Sequence, residues 1–127
     1  MKYVRETEKS VAAAMTDLES AVARHRFGVL HTYDFKATLR SKGFDLASEC
    51  RVLEICNPEQ ASRVLATDMS VNLALPCRIS VYQDAGRTKI GMIRPTALLG
   101  LISTSDEVRK AAEEIEATAS AIIDEAL

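Results

Sequence analysis

The sequence predicts an α+β domain with a mainly antiparallel sheet. Two strand patterns between Cys77 and Arg94 are joined by a short turn, which forces antiparallel pairing. Strand and helix patterns elsewhere alternate irregularly, without the strict rhythm of a doubly wound parallel sheet. Near each terminus, a long segment carries a single apolar stripe at helical spacing, suited to covering one face of a sheet.

Tyr3 to Thr7 reads as a short first strand. Ser10 can cap a helix running to about Arg26, in which Val11, Met15, Leu18 and Val22 share one stripe. Ala12 to Ala14 add helix propensity, and Asp17, Glu19 and Arg24 lie on the other side. Phe27 to Tyr33 favours a strand through Val29, Leu30, Thr32 and Tyr33. Asp34 can cap a short helix, Phe35 to Ser41, with Gly43 as its stop. Cys50 to Cys56 is mostly apolar, which places it centrally in the sheet.

Asn57-Pro58 is the strongest local signal: a good N-cap, then proline at the first helical position. Gln60 sits where a capping-box partner belongs, and the helix should reach about Ala66, burying Ala61, Val64 and Leu65. From Cys77 to Gln83, Cys77, Ile79 and Val81 alternate with Arg78, Ser80 and Tyr82. Asp84-Ala85-Gly86 turns the chain back into a second strand, Arg87 to Arg94, with Thr88, Ile90 and Met92 on one face. Thr104 and Glu107 form a second capping-box pattern. The helix after it, about 104–126, repeats Val108, Ala112, Ile115, Ala119 and Ile122.

At 127 residues, 47% of them hydrophobic, the chain suits one domain over residues 1–127 with its own core. The formal net charge of −2 argues against a nucleic-acid binder, whose affinity comes from neutralising phosphates. Thr104 to Leu127 carries two basic and seven acidic side chains, a net −5, so the remainder carries +3. That split is either a solvated helix face or an acidic face for a partner. No apolar run is long enough to span a membrane, and MKYVRETEKS has no apolar signal region. A soluble cytoplasmic protein is expected.

Glycine-rich phosphate loops, HExxH, GxSxG and CxxC are all absent, so no cofactor is expected. Attention falls on the cysteines. In a reducing compartment all three of Cys50, Cys56 and Cys77 are either small buried apolar residues or reactive groups. Cys56 precedes the N-cap Asn57, where free N–H groups and the helix dipole favour an anion and lower a thiol pKa. Cys77 follows Pro76 at another strand start, so the two thiols can meet if the strand ends cluster. Cys56, Cys77 and His31 have metal-ligand chemistry but no supporting spacing. Arg78, Ser80 and Tyr82 form either a solvated sheet face, the polar wall of an anion pocket, or part of an interface.

Several blocks together resemble the domain of unknown function 302 family. They are Arg26 to Leu30, Asp34 to Leu39, Ile55-Cys56-Asn57-Pro58 and Leu75-Pro76-Cys77-Arg78-Ile79-Ser80-Val81-Tyr82, a resemblance spanning roughly residues 3–99. It implies a TATA-binding-protein-like fold, a curved antiparallel sheet with helices on one face, and a homodimer. It also marks Cys56 and Cys77 as the family's cysteines. The expected function is a small-ligand-binding module with Cys56, Asn57, Cys77 and Arg78 lining a cleft for an anionic or thiol-reactive ligand. The alternatives are a thiol redox or sulfur-transfer protein, with Cys56 as nucleophile and Cys77 as partner, and a structural dimer without ligand.

Overall fold

Side-chain caps open most of the helices in the computed structural model, which describes residues 1–127. Strand β1 is Lys2–Thr7. Ser10 then accepts a hydrogen bond from the Ala13 amide at 3.1 Å and opens helix α1, Val11–Arg24. This helix stops two residues before the expected Arg26, because Arg26 adopts a positive φ of 63° and turns Phe27 into the core. Strand β2, Gly28–Asp34, runs directly into helix α2, Phe35–Ser41, which Asp34 caps through the Ala37 amide at 3.0 Å. Strand β3 is Cys50–Cys56 and helix α3 is Pro58–Thr67.

Asn57 caps α3 as expected, accepting from the Gln60 amide at 3.1 Å. The reciprocal half of the box is missing, since Gln60 Oε1 has no partner and its Nε2 donates to Glu114 at 3.3 Å. Of the three residues expected to be buried by α3, Val64 is buried, while Ala61 and Leu65 are half-buried.

Two elements had no counterpart in the sequence reading. A 3-10 segment, Met69–Ala74, follows α3 and is started by Asp68, which accepts from both the amide and the hydroxyl of Ser70. Helix α4, Pro95–Gly100, begins with proline at its first position and has no side-chain cap. Between them lie strands β4, Cys77–Asp84, and β5, Arg87–Ile93. Helix α5, Asp106–Glu125, is capped by Ser105 rather than Thr104. Glu107 does not complete a capping box; it accepts from the Thr67 hydroxyl at 2.9 Å and ties α5 to α3.

All five strands form one antiparallel sheet in the order β1-β5-β4-β3-β2. The two central turn residues of the β4–β5 hairpin, Ala85 and Gly86, both have positive φ, at 51° and 77°. That is the backbone a two-residue hairpin needs to follow the twist of its strands. β3 is central, as its apolar composition requires. β1 and β2 are the two edges, and not one residue of β2 is buried.

Helices cover one face of the sheet. Leu53 and Ile55 of β3, Ile79 and Val81 of β4, and Ile90 and Met92 of β5 meet the α1 stripe and the C-terminal half of α5 in a single 18-residue cluster. Every residue of both predicted stripes is buried. A second cluster of six residues joins α3, the 3-10 segment, α4 and the first turns of α5. The acidic outer face of α5 is met largely by cations from the rest of the chain. Asp124 pairs with Arg5 at 3.0 Å, Glu114 with Arg63 at 3.3 Å, Glu125 with Arg24 at 3.5 Å and Glu116 with Arg94 at 3.9 Å. The charge split between the two parts of the sequence is thus reconciled largely within the fold, by exposed pairs each worth little.

Candidate functional site

Alternation along β4 sends Ile79 and Val81 to the helices and Arg78, Ser80 and Tyr82 to the opposite, uncovered face. Register extends this face across the sheet. Val4 lies opposite Gly91, Gly91 opposite Ser80, Ser80 opposite Val52, and Val52 opposite Tyr33. One step along, Lys2 pairs with Ile93, Arg78 with Glu54, and Glu54 with His31. Gly91 is required in this row: a Cβ there would stand 2.8 Å from Val4 Cγ2 and 3.1 Å from the Tyr3 carbonyl oxygen.

A groove of about 610 Å³ opens beside this face and also takes in residues of the covered side, Ile55, Cys77, Ile79, Met92 and Ala119 of α5; its size is usual for small-molecule sites. Its sheet side is formed by Val4, Gly91, Ile93, Ser80, Arg78 and Tyr82. Its far wall comes from the 3-10 segment and α4, with Leu73, Leu75, Leu98 and Leu101. Fifteen of its 22 lining residues are hydrophobic, and the charged ones are Lys2, Glu54 and Arg78.

The four residues singled out in the sequence divide. Cys77 and Arg78 line the groove; Cys56 and Asn57 do not. Asn57 is engaged as the α3 cap, and no residue of α3 lines the groove. Cys77 pairs with Ile55 across the β3–β4 ladder and packs on the main core. Burial chiefly, with Cys56 acting in the same direction, pushes its thiol up to about 11. Cys56 and Cys77 thus lie at the same end of the paired strands β3 and β4, with alternation directing them to opposite faces, and all three cysteines are free and half-buried. Burial also raises the Cys50 thiol. No three His, Cys, Asp or Glu side chains gather where they could hold a metal ion. His31 sits on the edge strand with its ring 4.4 Å from that of Tyr33.

Sequence reasoning passed over Lys2, Glu54 and Tyr33. The Tyr33 hydroxyl donates to Glu54 Oε1 at 2.7 Å, and this bond raises the hydroxyl's pKa. Glu54 is Arg78's cross-strand neighbour, yet Arg78 makes no ion pair with it. The alternation of β3 and β4 puts Glu54 and Arg78 on one face, but only their register makes them neighbours.

Comparison with known proteins agrees with this architecture. The chain is 33% identical to an uncharacterised conserved DUF302 protein from Bacillus stearothermophilus whose crystal structure is known. The two superpose with a TM-score of 0.93, over 99% of this chain and 98% of that one. No curated protein matches. The family profile described as Domain of unknown function DUF302 matches residues 3–126, reaching beyond the 3–99 suggested by the sequence blocks to include α5. The chain therefore belongs to the DUF302 family.

Proposed function

We propose that the protein is a small-ligand-binding module whose site is the groove between the sheet and the leucines of the 3-10 segment and α4. The observation that carries this reading is the groove itself: about 610 Å³, mostly apolar, with Cys77 and Arg78 in its lining. Soluble domains rarely leave such a concave apolar surface without a use. Nile red, a neutral apolar fluorophore, tests it. The wild type should bind the dye saturably, and Leu73→Asp with Leu101→Asp should abolish binding. Both leucines are more than three-quarters exposed, at 78% and 77%, so the double variant keeps the fold. Binding that is absent from the wild type, or unchanged in the variant, overturns the reading.

The thiol redox alternative has one support: Cys56 and Cys77 lie at the same end of the paired strands β3 and β4. A thiol pushed to about 11 is almost wholly protonated at neutral pH and makes a poor nucleophile or metal ligand. If any cysteine reacts in the native protein, it is Cys56, ahead of Cys50, whose thiol burial also raises. Mass spectrometry after brief maleimide labelling reads that order, and Cys56→Ser should remove the fast phase. The free cysteines suit a reducing, cytoplasmic setting.

We also propose that the chain forms a homodimer through the β2 edge. β2 offers an unpaired ladder with exposed Val29, Leu30 and Tyr33, and Tyr33 stacks on the exposed Phe35 at 6.1 Å. Its sequence lacks the lysines and prolines that usually blunt an edge. Sedimentation at micromolar concentration should give twice 13.9 kDa, and Leu30→Lys should give 13.9 kDa. A wild-type particle of 13.9 kDa refutes it.

A further inference from the structure

We infer that the groove takes a single-chain amphipathic anion, with its acid group on Arg78 and Lys2 and its chain against the leucines of the far wall. This rests on the groove being a ligand site and adds the ligand's class. Three observations carry it.

The first is charge. Lys2 and Arg78 are the only cations of the lining, and neither makes a hydrogen bond to a side chain or an ion pair in the chain. Most other basic residues do pair, among them Arg5, Lys9, Arg63 and Lys89. The one acid of the lining, Glu54, accepts the Tyr33 hydroxyl at 2.7 Å instead of pairing with its cross-strand neighbour Arg78. Arg78 is thereby left free for an anion from outside.

The second is geometry. Lys2 pairs with Ile93, and continuing the β4–β5 register places Arg78 beside Ile93 on its other flank. The two backbones stand two strand spacings apart, about 10 Å. Both side chains are long enough to converge above Ile93 on one acid group, where a guanidinium can bind both oxygens. The third is shape. The volume encloses one chain of a monomeric amphiphile, and the far wall beyond the cations is aliphatic: Leu73, Leu75, Leu98 and Leu101.

Titration with decanoate, decanol and decyltrimethylammonium, followed by amide NMR shifts of Gly91 and Ile93, tests the class. Decanoate should bind best. Arg78→Gln with Lys2→Gln should weaken decanoate by about tenfold or more, while decanol changes little. Both residues are exposed, so the variants fold. Equal binding of decanoate and decanol, or preference for the cation, overturns the anion class while the groove reading stands on Nile red. Loss of all three together with Nile red overturns both. Co-sedimentation with phosphatidylglycerol vesicles without decanoate binding shows a membrane surface instead and overturns the monomeric ligand.

Discussion

The two faces of the sheet are built from the same strands and differ in nearly everything else. On the covered face, Leu53, Ile55, Ile79, Val81, Ile90 and Met92 pack under α1 and α5. On the other face the same strands present Arg78, Ser80, Tyr82, Glu54 and Ile93, several of which line the groove together with α4 and the 3-10 segment. A period of two separates a surface devoted to stability from one free to bind. Substitutions on the two faces should therefore differ sharply in cost.

The largest effect is expected at the centre of the covered face. Leu53 is fully buried, so Leu53→Ala should cost about 2–5 kcal/mol in denaturant unfolding. Arg78→Gln, on the neighbouring strand but the opposite face, should stay within about 0.5 kcal/mol. Equal costs would break the comparison.

Cys77 sits where the two regions meet, packed on the core yet lining the groove. Its thiol titrates near 9.0 when unfolded and at about 11 when folded. Between those values the unfolded chain has lost the proton and the folded chain keeps it. Stability should thus be constant for this group below pH 9 and fall as pH rises towards about 11. Each unit is worth about 1.4 kcal/mol, so the loss is on the order of 2–3 kcal/mol. Cys77→Ala should flatten that part of the alkaline profile relative to wild type.

A smaller effect tests the uncovered face itself. Gly91→Ala puts a methyl 2.8 Å from Val4 Cγ2 and should cost about 1–3 kcal/mol by prying β1 from β5. Val4→Ala in the same chain should recover part of this, and the remainder belongs to the Tyr3 carbonyl at 3.1 Å. The smallest effect lies in the hairpin that both faces share. Ala85 holds a φ of 51°, so Ala85→Asn should raise stability by roughly 0.5–1 kcal/mol.

Much of this division is legible along the chain. The alternation from Cys77 to Tyr82 assigns each side chain its face before any fold is known, because strand geometry repeats every two residues. The α1 and α5 stripes likewise announce burial, and Asn57-Pro58 announces α3, because caps and stripes act within a few residues. The groove was much less legible. Its far wall is made by Met69–Ala74 and Pro95–Gly100, which are too short to show periodicity. Their signals were only Asp68 with Ser70, and a proline after Arg94. The reading that joined Cys56 and Asn57 to the site followed a helix start, yet the groove opens beside Cys77 and Arg78.

By itself, the sequence determined most of the elements, the faces of the hairpin strands, the antiparallel hairpin and the covering helices. All of these follow from local sterics, caps and hydrophobic spacing. Only the tertiary structure decided that Lys2 and Arg78 flank Ile93, that Glu54 bonds Tyr33 while its neighbour Arg78 stays unpaired, and that two short helical turns help enclose a groove. Such neighbours come from strand order and register, which pair residues as far apart in sequence as Lys2 and Ile93. No local pattern encodes contacts at that separation; they arise when the covered face is buried and the register with it.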